Sequence, residues 1–369
     1  MSSRQAQRPH RPESILYVAY SLLPVGDGSA GGAEQILSVT EAEIAARGLR
    51  TTVAACSGSR VAGELLATGM ASPEPDRYEQ REAEHDACVI REIWRRSAAG
   101  CPFDLVHDMS GSFWRHGAAI TAPVLATLHL PRSFYPPMLF AEIAPNVFFN
   151  CVSESQARTF LDLPRYLGVV QNGVAIERFP LTDAKQDYLL WMGRICEEKG
   201  THVAIQVALR TGRPLVLAGQ VYPFSYHRQY YAREILPHLQ NSQVTFVEHP
   251  LFAHKVELLR HAHALLVSSL AEETSSLVSL EAMACGTPVI GFRRGAIPEI
   301  VADGETGLIV ETVGQMAAAV ERVHEIDPLA CRRRVAVHDS SRRMAGDYER
   351  LYEQLIRKSR RQEIRSRVA

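Results

Sequence analysis

Short apolar runs alternating with longer segments of helical period, once through each half of the chain, constrain this fold more than any other feature. Strands buried on both faces read as continuous apolar runs of this length, and strands separated by helices read as parallel α/β units. The first set comprises Ile15–Tyr20, Thr51–Cys56, Asp104–Asp108, Val124–His129, Val147–Ser153 and Leu167–Val174. The second comprises Tyr188–Gly193, Pro214–Gly219, Val244–His249, Ala264–Ser269, Pro288–Phe292 and Thr306–Val310. Two α/β domains follow, residues 14–175 and 187–340, joined at Ala175–Gln186 by a linker whose charges and helix-breaking Pro180 suit an exposed hinge. Tyr348, Leu351, Tyr352, Leu355 and Ile356 recur at helical spacing, so the terminal segment 341–369 should be an amphipathic helix packed on a core. Tyr78 to Arg96 reads as another amphipathic helix, and no repeat of solenoid period is present.

At 369 residues the chain can bury two cores, and its net charge of −1 gives no global reason to expect a nucleic-acid partner. The first fourteen residues are polar and lack the apolar centre of a secretory signal. No run approaches the roughly 20 apolar residues that span a bilayer, so a cytoplasmic protein is expected. Seven scattered cysteines without a CxxC pair suit reduced, buried thiols better than a disulfide frame or a zinc site. Cys151, Cys196 and Cys285 lie beside motifs but read as small packing residues. The basic run Arg357, Lys358, Arg360, Arg361, Arg365 and Arg367 suits a solvated helix end; peripheral membrane contact is conceivable there without being indicated.

Chemistry concentrates between Ser268 and Val310. Glu273 and Glu281 stand with seven residues between them, across a turn from the strand at Ala264–Ser269 into a helix starting near Ser276. The first turn of that helix offers unpaired N–H groups at Ser275 to Val278 and a positive dipole end, which together suit a pyrophosphate. Glu273 before the turn and Glu281 within the helix can serve two ends of one elongated ligand, and carboxylates suit sugar hydroxyls. A helix-favouring Glu273 and a solvated Glu281 are the plain alternative.

Three further places fit the same ligand. Gly31-Gly32-Ala33-Glu34 follows the glycine-bearing loop Leu22–Ala30 and opens a helix, where the backbone can approach phosphates closely. The competing dinucleotide reading is weak, because GDGSAGG lacks GxGxxG spacing. In GRICEEKG, Arg194 and Lys199 stand five residues apart where a strand turns into a helix and can converge on one diphosphate; pairing with Glu197 and Glu198 is the alternative. His129 closes a strand at the end where open α/β sheets place ligands. His107 is similarly placed with less specificity, and His249-Pro250-Leu251 offers backbone groups to a base.

The string EETSSLVSLEAMACGTPVIGFRRGAIPEIVADGETGLIV resembles the donor signature of the family-four retaining glycosyltransferases, with its E-x7-E motif. Gly31-Gly32-Ala33-Glu34 resembles that family's GGxE entry, Gly193-Arg194 with Lys199-Gly200 its GRxxxxKG motif, and Thr127-Leu128-His129 its TxH position. The resemblance covers nearly the whole chain and implies the B-type glycosyltransferase architecture: two facing Rossmann-like domains, a donor cleft between them, and a terminal helix crossing back to the first. It implies retaining transfer of a hexose from a nucleoside diphosphate sugar, uridine-linked, to a saccharide, lipid or small-molecule acceptor, with no essential metal or other cofactor. The absence of an Asp-x-Asp motif agrees with that. Glu273 would hold donor-sugar hydroxyls, Glu281 the ribose, and amides from Thr274, Ser275, Ser276, Leu277 and Val278 the sugar and phosphates. Arg194 and Lys199 would stabilise the leaving diphosphate, and His129 the reacting sugar.

One departure is visible: Thr274-Ser275-Ser276 replaces an aromatic and a glycine or proline common in relatives, so the donor-sugar end differs from the usual glucose pocket. An epimerase or hydrolase of this fold, or a non-catalytic nucleotide-sugar sensor, are the rival readings. The former needs extra carboxylate bases not identified in the sequence, and the latter could dispense with Glu273 or His129.

Overall fold

The computed structural model describes residues 12–26, 28–29, 31–71 and 77–368, with side chains to Ser359. The polar start, Asp27 and Ala30 of the glycine loop, and the side chains of Arg360, Arg361, Arg365 and Arg367 lie outside the described residues.

The first half builds one parallel sheet from β1 (Ser14–Val18), β2 (Arg50–Ala55), β3 (Glu64–Ala67), β4 (Leu105–Asp108), β5 (Val124–Leu128), β6 (Val147–Cys151) and β7 (Tyr166–Val169), in the order β3-β2-β1-β4-β5-β6-β7. The second half builds another from β8 (Leu189–Arg194), β9 (Leu215–Gln220), β10 (Val244–Glu248), β11 (Ala264–Val267), β12 (Val289–Phe292) and β13 (Gly307–Val310), in the order β10-β9-β8-β11-β12-β13. Both are doubly wound Rossmann orders. The strand order reverses between β1 and β4 in one sheet and between β8 and β11 in the other, and ligands lodge outside the carboxyl ends at such points.

The twelve anticipated strands form, eleven of them shifted by no more than two residues, while β7 starts one residue early and ends at Val169, five residues short of the anticipated Val174. β3 was not anticipated. Glu64-Leu65-Leu66-Ala67 is too short to show a period, and none of its residues is buried, because it pairs only with β2 at the sheet edge. The interior strands β1, β4, β5 and β6 are buried at every position, as continuous apolar runs demand.

Helices α1 (Gly32–Ala46), α2 (Tyr78–Ala98) and α3 (Glu154–Ala157) accompany the first sheet. The second carries α4 (Thr201–Thr211), α5 (Ser225–Tyr230), α6 (Phe252–His261), α7 (Leu277–Ala284), α8 (Ile297–Ile300), α9 (Val313–Val320) and α10 (Pro328–His338). The terminal helix α11 (Ser341–Val368) returns to the first half, where Met344, Tyr348, Tyr352 and Leu355 join Tyr17, Ile36 and Ile44 in one core cluster.

That return determines what His107 does. Its Nδ1 lies 2.8 Å from Tyr352 Oη and its Nε2 lies 2.7 Å from Thr127 Oγ1, with Tyr352 Oη 3.1 Å from Tyr17 Oη. Burial holds the imidazole pKa well below its ordinary value, so the ring is neutral. His107 is therefore a satisfied core histidine fastening α11 to the sheet, and the functional alternative raised by its strand-end position fails.

Among the described residues, no helix is long and apolar enough to cross a membrane.

Candidate functional site

The carboxyl ends of β1, β5, β8 and β11 open onto one cleft of about 480 Å³ between the two sheets. Gly31 and Gly32 line it from the first half together with His129; Arg194, Lys199, Glu273, Thr274, Ser275, Ser276, Leu277, Val278 and Glu281 line it from the second. The residues assigned to the donor in the sequence thus share one cavity, whereas His107 lies outside it.

Two helix N-termini point into it from opposite domains. Gly31 is the N-cap of α1, in extended conformation, and Ser276 is the N-cap of α7. A Cβ at Gly32 would stand 3.5 Å from Leu277 Cδ1, so the two first turns lie close together. The ladder of α7 begins when Ser279 N and Leu280 N donate to Ser276 O, leaving earlier amides for a ligand. Glu34 is buried in the first turn of α1, and burial raises its carboxyl pKa. A shift in that direction lessens the repulsion an anion would meet there.

The loop carrying Glu273 is fixed by a glycine. Gly295 has φ +54°, and a Cβ there would stand 2.1 Å from Glu273 O, while Ala296 N donates to the same oxygen at 2.7 Å. Only glycine permits this approach. The carboxylate of Glu273 accepts from Lys199 Nζ at 2.6 Å and from Ser269 Oγ. Lys199 sits in the turn Glu197–Lys199, and Gly200 behind it has φ +63° with Ser268 O where a Cβ would be. Instead of the anticipated alternative, pairing with its neighbouring glutamates, Lys199 reaches 74 residues along the chain to Glu273. Arg194 is half-exposed, 4.0 Å from Glu198.

Glu281 is buried and accepts from Lys255 Nζ at 2.5 Å. Lys255 was missed in the sequence. It lies on α6, whose FAHKVELLR gives no sign that this lysine faces a glutamate 26 residues away. Trp191, Phe252, Asn172 and Tyr222 also line the cleft without a sequence signal. His249 lines it too, with φ +49° and its N–H donated to Gly219 O at 3.0 Å.

His129 stands just past β5. Its Nε2 is buried without a hydrogen-bond partner, and burial lowers the ring pKa to about 4, so it is neutral at pH 7. Its carbonyl accepts from Thr274 Oγ1 at 2.7 Å, a direct bond between the two halves. A second bridge is formed by Glu299 at α8, whose carboxylate accepts from Glu154 N at 2.9 Å and Ser155 N at 2.6 Å and so caps α3 of the first half.

Among the described residues, one set of three His, Cys, Asp or Glu side chains lies close enough to share a metal ion. It is Cys196, Glu198 and His227, outside the cleft lining.

The two doubly wound parallel sheets and the cleft between them are the B-type glycosyltransferase fold. Residues 186–325 match the family model described as glycosyl transferases group 1, so the second half is a group 1 glycosyltransferase domain. The chain is 30% identical over 192 residues to the glycogen synthase of Mycobacterium tuberculosis, covering 49% of this chain and 44% of that protein. It therefore spans less than half the length of that relative. It is 24% identical over 373 residues to the D-inositol 3-phosphate glycosyltransferase of Mycobacterium bovis, covering 87% of this chain and 78% of that one. Among solved structures, the sucrose-phosphate synthase of Thermosynechococcus elongatus superposes with TM-score 0.75 at 20% identity, over 94% of this chain and 100% of that one. A protein from Anabaena solved in complex with UDP and glucose gives 0.71 at 14% identity, over 94% and 100%.

Proposed function

We propose that this protein transfers a hexose from a uridine diphosphate sugar to a hydroxyl-bearing acceptor, with retention of anomeric configuration and without an essential metal or other cofactor. The observation that carries this reading is the convergence of Gly31–Gly32, Ser276–Val278, Arg194 and Lys199 on one cleft, an arrangement suited to a diphosphate. The group 1 domain at residues 186–325 and the activities named for the relatives support it. The UDP held by the Anabaena structure supports the choice of base.

In this reading the bond from the sugar C1 to the diphosphate oxygen breaks as the bond from C1 to the acceptor oxygen forms, and charge grows on the leaving group. Arg194, Lys199 and the α7 amides offset that charge. Glu273 orients sugar hydroxyls and Glu281 the ribose. The acidic side chains among the described lining residues are Glu273 and Glu281, and each is held by a lysine. Neither is free to act as a general base, which supports a route in which the departing phosphate oxygen takes the acceptor proton on the face it leaves. His129, neutral and unpartnered, presents a hydrogen-bonding edge to the sugar. The acceptor is a saccharide, a lipid or a small molecule.

The test is a panel of nucleotide sugars screened by thermal shift, followed by turnover with candidate acceptors in the presence of a chelator. Transfer from a uridine donor that persists with chelator supports the reading. Release of free sugar or nucleotide regardless of acceptor, or binding without turnover across a broad acceptor set, would replace it with the hydrolase or sensor alternatives.

A further inference from the structure

Two residues past Arg194 the chain turns away from the cleft and buries Cys196 completely. Its thiol donates to Arg194 O at 3.6 Å. Glu198 follows in the same turn with its side chain about 20% exposed, and α5 lays His227 against both. A ligand atom from each of the three side chains lies within 4.8 Å of the other two. His227 is 0% exposed, and both of its ring nitrogens are buried without a hydrogen-bond partner. Tyr222, Phe224 and Tyr226 surround the ring and satisfy neither nitrogen. An imidazole orphaned on both nitrogens is costly, and a metal bond at one of them would remove part of that cost.

We propose that Cys196, Glu198 and His227 form a three-ligand site for a divalent cation of the zinc class, with a fourth position open. Sulfur, imidazole nitrogen and one carboxylate oxygen are the donors that Zn²⁺ selects over magnesium or calcium. Ligands 2.0–2.3 Å from zinc stand roughly 3.3–3.8 Å from one another, so the three atoms need to close by at most about 1–1.5 Å. The partly exposed Glu198 can supply that movement. Binding forms an S–Zn bond and releases the thiol proton to solvent; nothing is oxidised or reduced. The cluster passes from one negative charge to none, beside Arg194. The spacing C-x-E followed by a histidine in a separate helix matches no zinc signature, so the sequence hid it.

This site takes no part in the proposed transfer chemistry. One consequence rests on the diphosphate reading of Arg194: zinc should raise affinity for UDP about fivefold, and UDP the affinity for zinc by the same factor.

Full-length protein stripped of metal is titrated with Co²⁺ and then with Zn²⁺. A thiolate-to-cobalt charge-transfer band that saturates at one equivalent and is displaced by zinc is expected. Cys196→Ser should abolish the band. Glu198→Gln, at the one partly exposed ligand, should weaken binding by at least about tenfold, the loss seen even for groups that only support a ligand. Circular dichroism confirms that each variant is folded. Absence of a thiolate band, or a band unchanged in Cys196→Ser, overturns the site. If the band behaves as expected while UDP does not bind, the diphosphate reading fails and the metal site stands.

Discussion

At the scale of single residues, the cleft is organised by two ion pairs that join distant parts of the second domain. Lys199 with Glu273 occupies the position proposed for diphosphate and sugar, and Lys255 with Glu281 the position proposed for ribose. A bound donor must share these partners, because a buried or half-buried charge left alone is expensive. Lys199→Ala is therefore expected to lower turnover by about 10²–10³-fold, the usual loss for one preorganised electrostatic contact, and by more than it weakens UDP binding. Glu273→Gln should impair transfer and spare UDP affinity, because it removes charge at the sugar and not at the nucleotide. Glu281→Ala should chiefly weaken UDP binding, with part of the loss due to the unpartnered Lys255. Calorimetric affinities and turnover for the three variants decide this, and wild-type values for both Lys199→Ala and Glu273→Gln would remove the assigned site. Gly295→Ala gives a geometric check: with φ +54° and Glu273 O in the way, the Glu273 loop must move, so turnover should fall as with Glu273→Gln although no functional side chain changes.

At the scale of elements, strands and their order were far more legible than the contacts between elements. Interior parallel strands announce themselves because both faces are buried, and the turns after β8 and β11 because they need glycine and cap residues. The edge strand β3 gave no such pattern, being short and lacking a buried position. Partners in space were hidden for a different reason: Lys255 with Glu281, and Glu299 with α3, depend on how helices pack, which no local period encodes. His107 was ambiguous because a strand end looks the same from the sequence whether α11 covers it or not. The linker shows the same limit. Its charges suggested an exposed hinge, yet Lys185 Nζ donates to Arg260 O at 2.8 Å, Cys285 O at 3.2 Å and Thr287 Oγ1 at 2.8 Å. Burial lowers its pKa to about 8, still high enough for an ammonium at pH 7. Lys185→Met removes three donors and strands their acceptors, so a loss of about 1–3 kcal/mol in stability is expected, measured as a lower urea midpoint. An unchanged midpoint would make these bonds energetically idle.

At the scale of the whole molecule, buried neutral histidines tie stability to pH. His85 and His129 are pushed down to about 4 and His107 well below its ordinary value, all chiefly by burial. A base with a depressed folded pKa stabilises the fold above its unfolded pKa of about 6.5 and loses that contribution as pH falls toward its folded value. Asp108 and Asp339 are raised to about 6 by burial and act in the opposite sense between about 4 and 6. His227 and His263 are lowered too and Glu34 is raised, so five histidines stand against three carboxylates and the melting temperature should fall from pH 7 to pH 5, with net proton uptake on unfolding; a flat or rising profile would contradict the burial of these rings. The same scale governs closure. The halves meet through the α1 and α7 N-termini, through Thr274 with His129 O, and through Glu299 capping α3. The linker and α11 would keep the domains tethered if the cleft opened. Glu299 lies beyond the cleft lining, so Glu299→Ala tests closure without touching the proposed chemistry. Losing two charge-assisted bonds of about 1–2 kcal/mol net would shift a closed population roughly tenfold toward open forms. In small-angle scattering the variant alone should show a larger radius of gyration than the wild type. Saturating UDP should return it to the wild-type value, because a ligand bridging Gly31–Gly32 and Arg194, Lys199 and Val278 favours the closed state. If the variant matches the wild type without UDP, the Glu299 contact does not set the closed state; if proven UDP binding leaves the enlarged radius unchanged, the donor does not bridge the two halves.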